Sequence, residues 1–259
     1  PGPMPARRRI AMTAKAMAMA ADAATASLYR LLAWLSPGFP VGAFSYSHGL
    51  GAVVESGRIA DRASLQGWVH AVIMQGGGRI DADILRDAYR AATGGDIAAL
   101  ADANRRGGAY RATAELALET LSEGQAFLSA CSTAWPEALL LHPNPPPHAG
   151  EEREKAAPED TVCYPSAVGA AMARAGIALG DALVGYLQAM AANLVAAGLR
   201  LGIIGQTDGQ RILAALEPDV IAAAGAAMAR DPGDFGAATF VLDLASMAHE
   251  TQYTRLFRS

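Results

Sequence analysis

Alanine dominates this chain and constrains its fold more than any other feature. The sequence has 259 residues, of which 59 are alanine, whereas aromatic residues make up only 6%. Alanine is the strongest helix former and a poor strand former. Apolar residues recur at helical spacing nearly everywhere, for example at Leu28, Leu31, Leu32 and Leu35, and no segment alternates convincingly with period two. The sequence therefore predicts an all-α fold, a single-domain bundle of roughly eight to ten helices packed through small side chains.

Capping residues predict where several helices begin and end. Asp61 and Ser64 are candidate N-caps, and the glycine pair at 94–95 is a C-cap signal. Pro218 is predicted to open a new helix, because proline fits the first helical position but lacks the amide that a helix interior requires. The last helix is expected over residues 239–249.

Two stretches are predicted to lie outside the packed core. Residues 1–27 are expected to form a flexible amino-terminal extension, followed by an all-helical domain over residues 28–259. Within that domain, residues 141–160 combine a proline-rich run with a run of charges, and neither composition supports a packed core. We expect this segment to be a disordered loop that joins two helical halves.

Several kinds of chemistry lack the residues that they need. The only two lysines are Lys15 and Lys155, and there is no GxxxxGK[ST] motif, so neither a P-loop nor a Schiff-base lysine is predicted. The two cysteines form no CxxC pair, and the five histidines include no HExxH motif. The formal charge of −4 is a poor match to nucleic acid, and no apolar run reaches the length of about eighteen residues that a membrane span needs. We therefore expect no catalytic residue, no intrinsic metal or cofactor site, no nucleic-acid partner and no membrane association.

The nearest signal for an enzyme is a hydrolase-like segment at Ser45–Gly49. A nucleophile elbow has the pattern Gly-x-Ser-x-Gly after a strand, whereas the first position here is serine and two prolines precede it. A small serine hydrolase that uses Ser47 and His48 is thus the alternative function. The simpler interpretation is a turn, broken by proline, that leads into a helix.

Two segments are unusual for an inert bundle. Ser36–Leu50 is rich in proline, glycine and aromatic residues, and His249–Ser259 places three large apolar side chains beside arginines. Aromatic residues and arginine are enriched at interface hot spots. The backbone entropy of ordering this tail exceeds what burying its three apolar side chains returns. We therefore predict that the tail becomes ordered when a partner adds contacts, for example carboxylates that bind Arg255 or Arg258; the alternative is that the last helix simply packs on the bundle.

These two segments resemble sequence signatures of the UreF family of urease accessory proteins. The signatures are SPxxPVGAFSYSxGL over residues 36–50 and HExQYxRLFRS over residues 249–259. Between them, GQTDGQ over residues 205–210 and RATAEL over residues 111–116 resemble further stretches of that family. The resemblance extends from about Leu28 to Ser259.

The resemblance implies an all-α cytoplasmic protein without enzymatic activity that forms a homodimer. Its implied partners are a UreD/UreH-type accessory protein, the GTPase UreG and the urease apoprotein. Nickel is then handled by the complex and inserted into urease, GTP is bound by the partner GTPase, and this chain acts as a scaffold or also modulates GTP hydrolysis. The resemblance also implies that both the region before Leu28 and the tail become ordered on the UreD-type partner.

The predicted partner-binding residues all lie within these motifs. They are Phe44, Ser45, Tyr46, Ser47, His48, Gly49 and Leu50, then Gln206, and finally His249, Glu250, Gln252, Tyr253, Arg255, Leu256, Phe257, Arg258 and Ser259.

Overall fold

The fold is an all-helical bundle, as the alanine content and the helical periodicity predict. The computed structural model describes residues 21–136, 161–253 and 255–259, and these residues contain no β-strand. Helix α1 covers residues 21–34 of the described chain. Nine further α-helices follow within these described ranges: α2 (Leu50–Glu55), α3 (Arg62–Gln75), α4 (Gly77–Gly94), α5 (Ile97–Ala109), α6 (Ala114–Ala134), α7 (Tyr164–Arg174), α8 (Leu179–Arg200), α9 (Gln206–Ala229) and α10 (Phe240–Glu250).

One main apolar cluster joins helices from both ends of the chain. Trp34 of α1, Phe127 of α6 and Leu187 of α8 are fully buried in it, and Phe257 near the C-terminus belongs to the same cluster. The rings of Trp34 and Phe127 meet edge to face with their centroids 6.0 Å apart. Helix α8 packs against α2, α3, α4, α7 and α9, and therefore runs through the middle of the bundle.

Small residues bring the helices into close contact. A Cβ atom built on Gly169 of α7 would lie 2.4 Å from the carbonyl oxygen of Leu85 in α4, so only glycine fits where these two helices meet. A chain that is poor in aromatic residues thus reaches close packing through short distances between backbones.

The chain approaches α7 through residues 161–163, which α5 and α6 hold from two sides. The side-chain amide of Asn104 donates to the Thr161 carbonyl at 2.9 Å and accepts from the Cys163 amide at 2.8 Å. A Cβ atom on Gly124 of α6 would lie only 2.0 Å from the Val162 carbonyl oxygen. The start of α7 is therefore fixed to the bundle.

Three predicted helix boundaries are confirmed. The Asp61 carboxylate accepts from the Ser64 amide at 2.9 Å, which caps α3, and the Ser64 hydroxyl accepts in return from the Asp61 amide at 3.2 Å. Helix α4 ends at Gly94, and Gly95 follows with φ of +70°. Helix α10 begins directly after Thr239.

The prediction that Pro218 opens a new helix is wrong, because α9 continues through it from Gln206 to Ala229. The carbonyl group that lacks a donor is that of Ala214, four residues earlier. Ala214 and Pro218 both lie on the exposed side of α9. The unpaired carbonyl is therefore on the solvent side of the helix rather than in the core, and the proline is tolerated.

Residues 21–27, which the sequence analysis places in the amino-terminal extension, form the first part of α1. The hydroxyl group of Ser27 donates to the Ala175 carbonyl at 3.1 Å, which ties this helix to the end of α7. Residues 1–20 and the predicted loop at 141–160 lie outside the described residues.

Helices α8 and α9 have the length and composition of membrane spans, in contrast to the prediction that no segment does. Within their most apolar windows, 50% of α8 and 33% of α9 is buried in the bundle. Leu183, Leu187 and Leu194 of α8 are fully buried among other helices. The core helix of a globular protein meets the same criterion, so length and composition alone assign no membrane to this chain.

Candidate partner-binding site

The two unusual segments of the sequence meet in the structure, although 212 positions separate Ser47 from Ser259. The Arg258 amide donates to the Ser45 carbonyl at 2.8 Å, and the Ser47 amide donates to the Ser259 carbonyl at 3.0 Å. The Ser47 hydroxyl donates to the same carbonyl at 2.5 Å. We call residues 255–259 the C-terminal segment.

Phe257 anchors the C-terminal segment in the core. Its side chain is 4% exposed, whereas its neighbour Leu256 is 65% exposed. The guanidinium carbon of Arg200 lies 4.6 Å from the centroid of the Phe257 ring, in cation–π geometry. The same guanidinium donates to the Phe44 carbonyl. Arg200, at the end of α8, therefore binds both of the segments that the sequence singled out.

Three glutamates lie on one face of α6, beside the place where the two unusual segments meet. Glu115, Glu119 and Glu123 follow each other at intervals of four residues, which places them one above the other along the helix. Glu115 lies 2.7 Å from Nδ1 of His249 and also accepts from Arg255. The carboxylate that the tail was predicted to obtain from a partner is supplied by the chain itself.

Glu119 connects the turn at residue 48 with the C-terminal segment. One carboxylate oxygen is 3.0 Å from Nε2 of His48, and the other accepts from the Ser259 hydroxyl at 2.7 Å. Burial disfavours the charge on His48, but the charge and the hydrogen bond of Glu119 outweigh that effect, so the pKa of His48 is raised above its ordinary value. Glu119 therefore joins the turn at residue 48 to the C-terminal segment.

A cavity of about 550 Å³ lies beside these contacts. On its polar wall, the Asp81 carboxylate is 2.7 Å from the Arg111 guanidinium and accepts from the Tyr186 hydroxyl at 2.8 Å. Glu123 lines the same wall. Burial, reinforced by the negative charges of Glu119 and Asp81, raises the pKa of Glu123 well above its usual range. Protonation of Glu123 is therefore easier than that of an exposed glutamate.

The backbone at His48 and Gly49 is shaped to receive α10. His48 has φ of +53° and is the only non-glycine residue with positive φ in the described parts of the chain. Gly49 follows with φ of +76°, and a Cβ atom there would lie 2.8 Å from the Ser246 amide nitrogen of α10. Helix α10 thus packs directly on this turn.

The predicted partner-binding residues divide by exposure. Buried are Tyr46, Ser47, Gly49, Leu50, His249, Phe257 and Ser259; partly buried are Ser45, His48, Glu250 and Gln252; exposed are Phe44, Gln206, Tyr253, Arg255, Leu256 and Arg258. All of them except Gln206 belong to the two segments that meet. Gln206 begins α9 and does not line the cavity.

The prediction that the tail has too few contacts of its own is wrong for the C-terminal segment. That reasoning counted the burial of apolar side chains and omitted the hydrogen bonds to Ser45, Ser47 and Glu119, none of which is close in sequence. It also assigned Phe257 to a partner, whereas the ring is buried in this chain's own core.

The geometry does not support the hydrolase alternative. A nucleophilic serine needs a hydrogen bond to its general base. The Ser47 hydroxyl is fully buried and donates to the Ser259 carbonyl, while Nε2 of His48 faces Glu119. Each of the two groups is therefore bound to a different partner.

The described residues hold no group of three His, Cys, Asp or Glu side chains suited to a metal ion. Both cysteines are buried, and burial raises the pKa of Cys131 to about 12 and that of Cys163 to about 11. Both are therefore thiols rather than thiolates at neutral pH.

Sequence reasoning missed an exposed apolar face on α10. Four large apolar side chains on this helix are between 47% and 75% exposed. They recur at helical spacing, a pattern that is visible in the sequence. They are Phe240, Val241, Leu244 and Met247, and we call them the α10 face. It also missed the glutamates of α6, whose four-residue spacing is visible in the sequence.

Comparison with known proteins agrees with the motifs. The UreF family model matches residues 59–217, more than half of the chain. The urease accessory protein UreF of Azorhizobium caulinodans is 46% identical over 243 residues, which cover 94% of this chain and 100% of that protein. Proteins of the same name from Rhodopseudomonas palustris strain HaA2 and Granulibacter bethesdensis are 47% and 45% identical over 234 residues, which cover 90% of this chain and 94% of each relative. This chain therefore belongs to the UreF family.

Proposed function

We propose that the protein acts in urease maturation as a non-catalytic scaffold that bridges a UreD/UreH-type protein and the GTPase UreG. One observation carries this proposal: the identity of 45–47% to curated proteins named urease accessory protein UreF, along nearly the whole of each. The protein works in the cytoplasm as a homodimer and meets the urease apoprotein through the assembled complex. Nickel is handled by that complex, and GTP is bound by the GTPase.

An exposed apolar surface at the carboxyl end supports a docking role. Besides the α10 face, Tyr253 is fully exposed and Leu256 is largely exposed. Large apolar side chains grouped on the surface of a folded protein mark interaction sites, and burial against a partner returns about 25 cal/mol per Å². We assign the UreD/UreH-type protein to this surface.

Buried neighbours present the exposed residues in a fixed arrangement. Phe257 and Ser259 are held by the core, so Leu256 and Arg258 beside them have little freedom to lose on binding. A preorganised surface binds more tightly than a flexible tail with the same side chains, because less entropy is lost.

Copurification with the UreD/UreH-type partner tests this assignment. Replacing both Tyr253 and Leu256 with alanine is expected to weaken binding by about ten- to a hundredfold, since each is a large side chain at the proposed centre. The control is Ile221→Ala, which truncates an exposed side chain of α9 and is expected to leave binding unchanged. Binding of the double variant at wild-type strength would contradict the docking surface.

Two activity measurements test the scaffold itself. The purified protein is expected to hydrolyse neither GTP nor simple esters, and turnover of either would contradict a non-catalytic role. GTP hydrolysis by the GTPase, measured with and without this protein, is expected to keep the same rate. A changed rate would replace the passive scaffold with a regulator.

A further inference from the structure

We propose that the cavity beside α6 is a binding site for a small organic cation, an amidine or an amine carried on an apolar body. The site shares no residue with the α10 face, so it goes beyond the docking role. Its unpaired polar groups lie on α6 and α7, so the site does not depend on where the C-terminal segment lies.

The size and the walls of the cavity are those of a small-molecule site. Its volume of about 550 Å³ lies within the range of about 300–1,000 Å³ that is usual for such sites. Apolar side chains form most of the walls, for example Leu35, Val41 and Met190. Pro37 and Pro40 also line the cavity and are exposed, so it opens to solvent beside them. A ligand with an apolar body and one polar end fits such walls.

Glu123 is the carboxyl group of this cavity that has no partner. Its side chain is 7% exposed, and within residues 21–136, 161–253 and 255–259 it forms neither a hydrogen bond nor an ion pair. Asp81, by contrast, is paired with Arg111, and Glu119 is paired with His48. A buried polar group costs free energy unless it is paired. The carboxyl group of Glu123 is therefore available to a ligand.

The hydroxyl group of Tyr164, at the start of α7, is a second unpaired group. Tyr164 lines the cavity, and its hydroxyl makes no hydrogen bond to any residue that the structure describes. Burial, reinforced by the negative charge of Glu123, raises the pKa of Tyr164, so this hydroxyl stays neutral. The ring of Tyr186 lies beside it, with the two centroids 5.5 Å apart. Aromatic rings attract cations, so the two tyrosines and Glu123 favour the same kind of ligand.

The charges around Glu123 select a cation. Burial and the negative charges of Glu119 and Asp81 raise the pKa of Glu123, and the positive charge of Arg111 opposes them only in part. A bound cation supplies the missing counter-charge: Glu123 releases its proton to solvent, and the carboxylate then accepts hydrogen bonds from the ligand. A planar amidinium can give two parallel hydrogen bonds to one carboxylate. The described residues offer no group of three side chains suited to a metal ion, so an organic cation fits the site better.

Binding of benzamidine to the full chain, measured by calorimetry at mildly alkaline pH, tests the proposal. Benzamide has the same shape without the charge, and benzoate has the opposite charge. Benzamidine is expected to bind about tenfold or more tightly than benzamide, because hydrogen bonds to charged groups are stronger, and benzoate is expected not to bind. Equal affinities for benzamidine and benzamide would overturn the proposal. So would the absence of benzamidine binding up to about 10 mM, the weakest affinity expected of so small a ligand.

A peptide-like probe identifies the source of the cation. N-acetylarginine amide carries a similar planar cation on a peptide unit. It is expected to bind more weakly than benzamidine, because its two amide groups find few polar partners on apolar walls. Tighter binding of this probe would assign the cavity to an arginine side chain of another protein and overturn the assignment to a free ligand.

Two glutamine variants locate the site. Glu123→Gln is expected to weaken benzamidine binding by about tenfold or more and to leave benzamide binding unchanged, since only the charged contact is lost. The control is Glu217→Gln, which removes an exposed carboxylate of α9 and is expected to leave both affinities unchanged. Wild-type affinity for benzamidine in Glu123→Gln, or an equal loss in both variants, would overturn the proposal.

The pH dependence separates a binding role of Glu123 from a structural one. Because the cation pairs with ionised Glu123, whose pKa is raised, benzamidine affinity is expected to increase between about pH 5 and pH 6.5. His48 keeps its proton over this range, because Glu119 raises its pKa above 6.5. The increase is expected to be absent in Glu123→Gln. A constant affinity in the wild-type protein, or an increase that persists in the variant, would overturn the proposal.

A measurement on the wild-type protein covers the case in which Glu123→Gln does not fold. Intermolecular nuclear Overhauser contacts are expected from the benzamidine ring to the ring of Tyr164 and the methyl group of Met190, which both line the cavity. Contacts only to residues outside the cavity would overturn the proposal.

Discussion

Truncation of Phe257 to alanine tests whether the protein's own core holds the C-terminal segment. Removing a buried phenylalanine side chain costs about 3–5 kcal/mol, and loss of the cation–π contact with Arg200 adds about 0.5–1 kcal/mol. Leu256 provides a matched control, because it is the adjacent residue and is 65% exposed. Its replacement by alanine is expected to change stability by less than about 0.5 kcal/mol.

The size of the effect is limited by what else holds the segment. The hydrogen bonds to Ser45, Ser47 and Glu119 are four in number, and each contributes about 0.5–1.5 kcal/mol net, or roughly 2–6 kcal/mol together. This sum is comparable to the loss caused by Phe257→Ala. The segment is therefore expected to detach in a large fraction of the molecules, while the remaining core around Trp34 and Phe127 stays folded.

Amide exchange at one mildly acidic pH separates the two variants. Phe257→Ala is expected to reduce the protection of the Ser47 amide by about a hundredfold, which corresponds to about 3 kcal/mol, and to lower the urea midpoint of the whole protein. Leu256→Ala is expected to preserve that protection while weakening partner binding. Equal protection in both variants would refute the view that Phe257 belongs to the core and Leu256 to an interface.

Three further predictions concern the bundle. Gly169→Ala is expected to lower the free energy of unfolding by about 1–3 kcal/mol, because the new methyl group meets a backbone carbonyl. The control, Gly225→Ala on the open face of α9, is expected to raise it by roughly 0.5–1 kcal/mol. Equal urea midpoints for the two variants would contradict the close contact of α4 and α7. Arg86→Met is expected to lower the free energy of unfolding by about 3–5 kcal/mol, since the buried guanidinium binds two aspartates of α4 and carbonyl groups at the end of α9. A decrease below about 1 kcal/mol in urea unfolding would be inconsistent with that role. Cys131 and Cys163 are expected to resist iodoacetamide in the native protein and to react in urea, because burial raises their pKa values to about 12 and about 11. Rapid labelling of the native protein would disprove their burial.

The helical architecture could be predicted because its signals are local. The cap at Asp61 and the glycine end of α4 depend on residues within one turn of each other, and both are confirmed. Pro218 misled for the opposite reason. Its effect depends on whether the carbonyl of Ala214 faces water, and this is decided by the packing of α9 rather than by the neighbouring sequence.

The candidate site could be located from the sequence but not resolved into its parts. Motifs identified both segments, but no feature of the neighbouring sequence predicts that Ser47 and Ser259, 212 positions apart, bind each other. Leu256 and Phe257 are adjacent large apolar residues and look equivalent in the sequence, although one is exposed and the other buried. Glu119 looks like an ordinary surface charge of an amphipathic helix until the tail is placed beside it.

Because Asn104 and Gly124 hold residues 161–163 against α5 and α6, the position of α7 does not depend on how many residues connect it to α6. Doubling the length of such a connection costs only about 0.6 kcal/mol in closure entropy. An affinity tag or a fluorescent domain inserted between residues 137 and 160 is therefore compatible with the native bundle. Such a fusion leaves α1 and the C-terminal segment unmodified.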